Sequence, residues 1–478
     1  MSLSVALNTA KNSLQANGVQ MSVVGRNVAN QGVASYSRKI ANTVTIVGGG
    51  VHVASIGRAT DTALYKTLLK ATSATSAQQA LLEGVTKLSE TIGDPELEFS
   101  PAAKLGKLTN ALQQYAAAPD NSILAQAALG AAQEMAATLN QATETVQATR
   151  RQADADMAAS VTRINGLLEQ FESVNNAIIK GTVAGTDITD HLDTRDSIVS
   201  QLSEEIGVSV VIRENNDAVL YTDGGVTLFE TRPREVSFVP TTVFSATTVG
   251  NAVYVDGVAV VGGASTMPTT TGRLYGLATV RDEAAVTYQN QLDEIARGLI
   301  EAFRENDGVN DIPGMFTWPA GTVPPTGTVV PGLAAQIMVN PAIDPDQGGD
   351  LDLIRDGITV NYNADGVAGF DQRLNDIITE LAQTRNFDPA SGADPTNTLK
   401  DYTTSSVSWL EFTRQQVDNE ATYQMTMYER SNEALMNATG VNLDDQLSQM
   451  LDLERTYGAT TKLIAAVDNM LQSLLDAV

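Results

Sequence analysis

Residues 1–30 carry a regular stripe of apolar side chains. Its members are separated by alternating steps of four and three residues, the spacing that keeps one face of a helix against a partner helix in a coiled coil. The stripe consists of Leu3, Leu7, Ala10, Leu14, Met21, Val24 and Val28. Asn17 interrupts it at a position where a polar residue can set the register at a cost in stability. The pattern therefore predicts an amphipathic N-terminal helix that needs a partner.

A second apolar stripe with similar spacing runs through residues 441–478. It consists of Leu443, Leu447, Met450, Leu453, Tyr457, Ile464, Val467, Leu471, Leu474 and Val478. The two ends differ in charge, because residues 1–60 carry five basic and no acidic side chains, whereas residues 441–478 carry six acidic and two basic ones. We expect the two terminal helices to pair, with opposite charge favouring the mixed pair. Two unrelated surface helices of a globular domain remain the alternative.

Helical patterns dominate between the two ends. Residues 61–180 are rich in Ala, Gln, Leu and Glu, with breaks expected near 93–95 and 118–120. Without further breaks, residues 120–180 would form one helix of about 90 Å. Shorter helices are predicted over residues 192–206, 272–305, 370–383 and 394–437, and a break at 439–442 precedes the last helix.

Two segments show the alternating pattern and the turn residues of β-strands. Residues 39–56 predict a short hairpin with its turn at Gly48, Gly49 and Gly50. A larger β-rich segment has strands predicted over residues 208–212, 218–221, 226–229, 236–239 and 253–255. Residues 306–350 are rich in Gly and Pro and are assigned to the same inserted part.

These patterns predict a mostly α protein with an inserted β-rich domain. We expect an elongated, nested architecture in which coiled-coil helices from the N- and C-termini pair and a bundle of long helices follows. The predicted domains are a terminal axial core (1–60 and 438–478), a helical shaft (61–180, 272–305 and 351–437) and an outer β-rich domain (181–271 and 306–350).

Composition excludes several classes of function. The net charge of −26 and the pI near 4.3 argue against nucleic-acid binding, which needs a basic surface. The absence of cysteine removes disulfides, thiolate metal sites and thiol catalysis. No apolar run approaches the roughly 18 residues of a membrane span, so we expect no membrane insertion. The N-terminus lacks the pattern of a signal peptide, so export would proceed without a cleaved leader.

Candidate catalytic and metal sites are weak. His191 lies among Asp187, Asp190 and Asp193, but a zinc or iron site would need further His or Cys ligands, and we interpret these acids as a solvated helix N-terminus. The acidic run 344–352 fails the EF-hand pattern, and a solvated loop is preferred over weak calcium binding. We therefore predict no catalytic, cofactor-binding or metal site.

Short motifs resemble those of a known family. The run Asn27-Val28-Ala29-Asn30, followed by residues 35–39, is similar to the signature shared by flagellar axial proteins. The Tyr-Ser-Arg continuation resembles most closely the hook-associated protein 1 family. Further stretches that resemble this family are residues 192–196, 207–210, 272–276, 440–444 and 462–464. The chain departs from the family before Tyr36, where it lacks the usual Thr-Pro-Gly.

The resemblance implies a structural component of the bacterial flagellum. Similar proteins form the junction ring between hook and filament and are exported by the flagellar type III apparatus. We therefore expect a non-enzymatic, extracellular protein without a cofactor that packs through its terminal helices. The expected partners are further copies of the chain, the hook protein, the second junction protein or filament, and an export chaperone on the C-terminal helix.

Another axial subunit, of the hook or distal rod, remains the alternative, and an enzyme such as a wall hydrolase has no supporting set of residues. The expected assembly interface combines the two stripes with the motif between them. It consists of Leu3, Leu7, Ala10, Leu14, Asn17, Met21, Val24, Asn27, Val28, Asn30, Tyr36, Arg38, Leu443, Leu447, Met450, Tyr457, Ile464, Leu471 and Leu474.

Overall fold

The structure is a computed structural model, and it describes residues 3–33, 35–46, 50–91, 99–263 and 265–476. Helices make up most of it. They are α1 (Leu3–Ala29), α2 (Thr62–Ser89), α3 (Pro101–Ala117), α4 (Ser122–Ala184), α5 (Thr189–Glu205), α6 (Arg273–Thr279), α7 (Ala285–Ala302), α8 (Leu353–Asp356), α9 (Gln372–Ala382), α10 (Leu399–Thr439) and α11 (Leu443–Leu475). A π-helical turn (Val280–Ala284) joins α6 to α7.

The strands are short and pair antiparallel. They are β1 (Lys39–Thr45), β2 (Val51–Arg58), β3 (Val208–Ile212), β4 (Ala218–Thr222), β5 (Thr227–Phe229), β6 (Val236–Ser237), β7 (Val253–Val255), β8 (Val258–Val261), β9 (Glu305–Asn306), β10 (Asp311–Ile312), β11 (Phe316–Thr317), β12 (Met338–Val339), β13 (Thr384–Asn386) and β14 (Thr396–Thr398). Strands β1 and β2 form a hairpin, β3-β4-β5 and β6-β7-β8 form three-stranded sheets, and β9–β10, β11–β12 and β13–β14 form small pairs.

Polar caps fix the ends of the longest helices. The side chain of Asn121 accepts a hydrogen bond from the Ile123 amide (3.0 Å) at the start of α4, and Gly185 ends the helix with φ +67°. Helix α4 therefore runs for 63 residues, or about 95 Å. Asn442 caps α11 by accepting from the Asp444 amide (2.9 Å), so α10 and α11 are separate helices.

Two hydrophobic cores lie along α4. The first half of α4 shares a core with α3, α7, α9 and α10, and the second half shares a core with α5, α6 and strands β3 to β8. Helix α2 contributes to both cores, through Leu88 to the first and Leu69 to the second. At Gly276 of α6, a Cβ would lie 2.2 Å from the carbonyl oxygen of Ala77, so α6 and α2 are in backbone contact.

The predicted fold class is confirmed, because the chain is mostly helical, carries small antiparallel sheets and brings α1 against α11. Strand β8 and the two- and three-residue strands β9 to β14 were not predicted. The predicted turn residues Gly48 and Gly49, and the predicted break at 93–95, lie outside the described residues. Within the described residues, none of the helices combines the length and apolar character that a membrane crossing needs.

The division into three domains stays a prediction. The structure adds that the segment 306–350 buries Phe316, Leu333 and Ile343 in the first core, together with the helices of the predicted shaft.

Candidate assembly site

Helices α1 and α11 form one unit with the β1–β2 hairpin, which we call the terminal unit. Helix α1 contacts α11, β1 and β2. Near the last turn of α1, the amide of Asn27 donates a hydrogen bond (2.8 Å) to the side-chain oxygen of Gln446, in the first turn of α11. The C-terminal end of α1 therefore contacts the N-terminal end of α11. Two helices that stay in contact from these ends onward run antiparallel.

A buried asparagine, Asn27, connects the three parts of the terminal unit. Its amide nitrogen donates to the Lys39 carbonyl (2.9 Å) and to Gln446 (2.8 Å). Its amide oxygen accepts from the Lys39 backbone N–H (2.8 Å) and from the Tyr36 hydroxyl (2.9 Å). The side chain is only 1% exposed. One asparagine therefore satisfies the backbone at the start of β1 and anchors the first turn of α11.

A row of aspartates binds the terminal unit to the rest of the chain. We call Asp187, Asp190, Asp193 and Asp196, at the start of α5, the aspartate face. Arg26 of α1 bonds to Asp187 (2.9 Å) and Asp190 (2.8 Å). Lys39 of β1 donates to Asp193 and to the Thr189 carbonyl (3.1 Å). Arg58 of β2 bonds to Asp193 (2.9 Å) and Asp196 (2.6 Å). Each element of the terminal unit apart from α11 thus has its own ion pair with this face.

Burial and charge shift the pKa values around the aspartate face. The hydrogen bond that Arg26 donates to Asp187 raises the pKa of Arg26, and Asp190 raises it further. Burial would lower the pKa of Arg58, but the charge of Asp196 and its hydrogen bonds raise it overall. Burial raises the pKa of Tyr36 to about 12, so its phenol remains a hydrogen-bond donor to Asn27 at neutral pH. Arg26 and Arg58 therefore remain charged throughout the physiological range.

The expected charge pairing between α1 and α11 is wrong. The basic residues Arg26, Lys39 and Arg58 pair with the aspartate face. In the described part of the chain, the ion pair of α11 is an internal one, between Arg455 and Asp452 (3.8 Å). The terminal helices therefore pair through burial and through hydrogen bonds such as that of Asn27.

The interpretation of the acids around His191 as solvated is wrong for Asp193, which is buried and binds two cations, whereas Asp187 and Asp190 are exposed. Two features of the sequence could have revealed the role of these acids. Four aspartates recur every three residues from Asp187 to Asp196, and the N-terminal segment 1–60 carries basic side chains but no acidic ones to pair with them. His191 itself is exposed.

Each terminal helix buries a row of residues spaced by seven. In α1 this row contains Ala10, Asn17 and Val24, all members of the predicted stripe, and Ala16 and Val23 beside it are also buried. Most other predicted members on α1 and the following segment are half-buried. These are Leu3, Leu7, Leu14, Met21, Val28, Asn30, Tyr36 and Arg38. The amide nitrogen of Asn17 has no hydrogen-bond partner among the described residues.

Helix α11 leaves most of its predicted stripe in solvent. Its buried row is Gln446, Leu453 and Val467. Leu453 and Val467 belong to the predicted stripe. The other predicted residues Met450, Tyr457, Ile464 and Leu471 form a row four residues further on, about 40° around the helix. Leu443, Leu447, Met450, Tyr457 and Leu474 are between 37% and 54% exposed, and Ile464 and Leu471 are half-buried. The apolar residues Leu451, Leu463, Met470 and Leu475 are exposed as well, although they were not predicted as interface residues.

Two further predicted features have local roles. Asn30 donates to the Arg26 carbonyl (2.8 Å) and closes the end of α1, and the Arg38 amide donates to the Thr439 carbonyl (2.8 Å) at the end of α10. In the run 344–352, Asp344 is buried and accepts from the Asp346 amide (3.0 Å). Among the residues that the structure describes, no group of three or more His, Cys, Asp or Glu side chains is placed to hold a metal ion.

Comparison with known proteins shows which proteins this chain resembles. The model of the flagellar hook-associated protein FlgK helical domain matches residues 85–308, from the end of α2 through α7. The model of the flagellar basal body rod FlgEFG protein C-terminal region matches residues 433–477, which include α11. Flagellar hook-associated protein 1 of Bacillus subtilis is 22% identical over 522 residues, which cover 99% of this chain and 98% of that protein. The chain is similar to flagellar hook-associated protein 1 over almost its whole length.

Other proteins of the same name, or of similar fold, match part of the chain. Flagellar hook-associated protein 1 of Salmonella typhimurium is 26% identical over 316 residues, which cover 63% of this chain and 56% of that protein. The chain thus spans little more than half the length of this relative. The flagellar hook junction protein FlgK from Burkholderia pseudomallei has a similar fold, with a TM-score of 0.56 at 13% identity over 77% of this chain and 99% of that one.

Proposed function

We propose that this chain is a structural subunit of the bacterial flagellum that assembles at the junction between hook and filament. The observation that carries the proposal is the exposed apolar surface of α11, held on a terminal unit that is fixed to the rest of the chain. The names of the related proteins, hook-associated protein 1 and hook junction protein, support the same role. In this role the protein binds neighbours by packing and catalyses no reaction.

The exposed surface of α11 supplies the driving force for assembly. Burying a large apolar side chain yields about 1.5–3 kcal/mol. Leu447, Leu451, Leu463 and Met470 are each between 45% and 52% exposed, so several of them together stabilise a helix–helix contact with a neighbouring subunit. An apolar surface of this extent on one helix is unusual for a protein that stays monomeric.

The aspartate face gives this surface a defined orientation. The ion pairs of Lys39 and Arg58 with Asp193 are largely buried, with side-chain exposures of 0%, 11% and 10%. Buried pairs of this kind are costly to break by removing one partner. The terminal unit is therefore held at a fixed angle to α5, as the packing of identical subunits into a ring requires.

The proposed partners follow from this role. They are further copies of the chain, the hook protein on one side, and the second junction protein or filament on the other. Before assembly, an export chaperone covers the C-terminal helix. The protein acts outside the cell, after export through the flagellar type III apparatus.

A substitution on α11 tests the proposal without disturbing the monomer. In a strain deleted for the gene, we would introduce the wild type, Leu447→Asp, or the control Gln449→Asp. Both positions are exposed, so both variants should unfold in urea like the wild type. Only Leu447→Asp should give intact hooks without filaments and flagellin shed into the medium. Normal filaments with Leu447→Asp, or in the deletion strain itself, would contradict the proposal.

The match of residues 433–477 to the basal-body rod model favours one alternative, a hook or distal rod subunit. The same deletion strain separates the two roles. Loss of the hooks themselves would place the protein among the rod or hook subunits, whereas intact hooks without filaments would place it at the junction.

A further inference from the structure

One face of the β1–β2 hairpin carries a row of large apolar side chains. Ile40, Val44 and Ile46 occupy alternate positions along the strand, so their side chains lie on the same face. They are 42%, 46% and 37% exposed. The amide of Ile46 donates to the Gly50 carbonyl (3.2 Å), so the hairpin continues past the last residue of β1. We call this row the outer hairpin face.

The opposite face of the hairpin lies against α1. Ile56 pairs with Ala41 across the hairpin, and residues paired in this way share a face. Because Ala41 alternates with Ile40 along β1, this face is opposite to the outer hairpin face. Ile56 is half-buried and lines a groove with Val19 and Val23 of α1. The outer hairpin face therefore points away from α1. Since two strands alone are only marginally stable, a cover on this second face would stabilise the hairpin.

An arginine without a counter-ion extends the outer hairpin face. The carbonyl of Arg38 accepts from the Ala59 amide (2.8 Å), so the pairing of the two strands continues to this residue. Alternation then places its side chain on the same face as Ile40. Within the described residues, no ion pair includes Arg38, whereas Lys39 and Arg58 beside it bind the aspartate face. The outer hairpin face thus combines apolar side chains with a free positive charge.

The first turns of α11 carry the complementary set of side chains. Leu447, Met450 and Leu451 are 45%, 37% and 52% exposed. Glu454 follows Leu451 by three residues and Met450 by four, so it lies on the same side of the helix. It is exposed, and none of the ion pairs of the described chain includes it. We call these four residues the α11 patch, which combines apolar side chains with a free negative charge.

Arg38 and Glu454 of the same chain cannot meet. The Arg38 amide donates to the Thr439 carbonyl (2.8 Å), just before the start of α11. Glu454 lies about three turns beyond Leu443, the first residue of α11, which is about 16 Å along the helix. This distance exceeds the reach of an arginine side chain. A partner for Arg38 in the α11 patch therefore has to come from another copy of the chain.

We propose that the outer hairpin face of one copy docks against the α11 patch of a second copy, with Arg38 paired to Glu454. Identical chains of net charge −26 repel each other, so contact is favoured where opposite charges meet. The contact joins two different surfaces. Each copy can therefore use its hairpin toward one neighbour and α11 toward the other, which is the arrangement that closes into a ring. This inference rests on the proposed function and names the surfaces that meet.

Cysteine cross-linking tests the contact, because the chain contains no cysteine of its own. In the deletion strain we would co-express two copies with different tags, one with Val44→Cys and one with Leu447→Cys. The isolated flagella would be treated with a short bismaleimide, and a product that carries both tags should form. It should be several times weaker when Thr43→Cys or Ser448→Cys replaces the neighbouring variant. Both control residues are exposed but lie on other faces of β1 and α11.

Charge exchange tests the pair between Arg38 and Glu454. Arg38→Glu in the Val44→Cys copy should lower the yield of the product at least roughly tenfold, because two like charges would face each other. Adding Glu454→Arg to the Leu447→Cys copy should restore it. The control Arg151→Glu, an exposed position of α4, should leave the yield unchanged. If Arg38→Glu does not fold, as judged by circular dichroism, Glu454→Arg alone should cause the same loss, since Glu454 is exposed.

The outcomes separate this inference from the proposed function. Flagella that contain both tagged copies but give no product with both tags, or equal product with the control cysteines, would overturn the inference and leave the proposed function in place. A yield that is unchanged by Arg38→Glu would also overturn it. Flagella that lack the protein would overturn the proposed function, and this inference with it.

Discussion

Replacing Asn27 by alanine would remove a side chain that joins α1, the hairpin and α11. Its amide takes part in four hydrogen bonds of 2.8 to 2.9 Å. In the variant, the half-buried Tyr36 hydroxyl can turn toward water. The N–H and C=O groups of Lys39 and the side-chain oxygen of Gln446 would lose a buried partner. Because Asn27 is fully enclosed, no water can replace it without local opening.

The expected loss follows from these contacts. A hydrogen bond contributes about 1 kcal/mol net, and a buried group left unpaired costs about 1–3 kcal/mol. We therefore expect Asn27→Ala to lower the unfolding free energy of the terminal unit by about 3–5 kcal/mol. Asn30→Ala is the matched control, since Asn30 makes one hydrogen bond to the end of its own helix, and it should cost about 0.5–1.5 kcal/mol.

Hydrogen exchange followed by mass spectrometry measures this loss where it occurs. Amides in residues 3–29, 39–45 and 443–453 should exchange much faster in Asn27→Ala than in Asn30→Ala, whereas amides of α4 and α7 should not change. Similar exchange in the two variants would refute the reasoning, because it would mean that the asparagine does not hold these three segments together.

Three further predictions concern other contacts. Asp193→Asn leaves a buried ammonium without its carboxylate and should lower the unfolding free energy by about 3–5 kcal/mol in urea titrations. The control Asp190→Asn should cost under about 1 kcal/mol, because the side chain of Asp190 is 69% exposed, and equal losses would contradict this reasoning. Gly276→Ala forces a Cβ against the backbone of α2 and should destabilise the protein by about 1–3 kcal/mol. Gly458→Ala should be neutral or stabilising, because a Cβ at Gly458 would have no neighbouring atom within 4 Å, and the reverse order of stability in thermal unfolding would disprove this prediction. Burial raises the pKa of Asp293 to about 7, above the value near 4 of an unfolded aspartate, so the folded state binds this proton more tightly. The wild type should therefore lose stability relative to Asp293→Asn as the pH rises from about 4 to about 7, and a constant difference in urea titrations would count against it.

Local patterns were sufficient to predict the long helices and the main strands. The stripe from Leu3 to Val28 predicts α1, and the uninterrupted run 120–180 predicts most of α4, because helical periodicity and propensity act over neighbouring residues. Strands β3 and β7 occur where alternation predicted them. Strand β11 has only two residues, too few for such a pattern, and it is defined by its hydrogen bonds to β12.

The candidate site was predicted only in part for a similar reason. Spacing along the chain identified the apolar residues of α1 and α11, but it could not say which rows face each other and which face solvent. Lys39 and Asp193 are 154 residues apart, and Asn27 and Gln446 are 419 residues apart. Contacts over such distances depend on how helices pack, which a single sequence does not reveal. The clearest consequence concerns the basic residues of the N-terminal segment. They were predicted to pair with α11, but they bind the aspartate face.

The bond between Asn27 and Gln446 also sets an order of events during synthesis. A ribosome adds about 5–20 residues per second, so about 20–80 s pass between the two residues. Throughout this interval the first helix has emerged while its partner does not yet exist. The ends of the molecule therefore join last, and in a chain that stops short of α11 the Asn27 amide lacks the partner that Gln446 supplies.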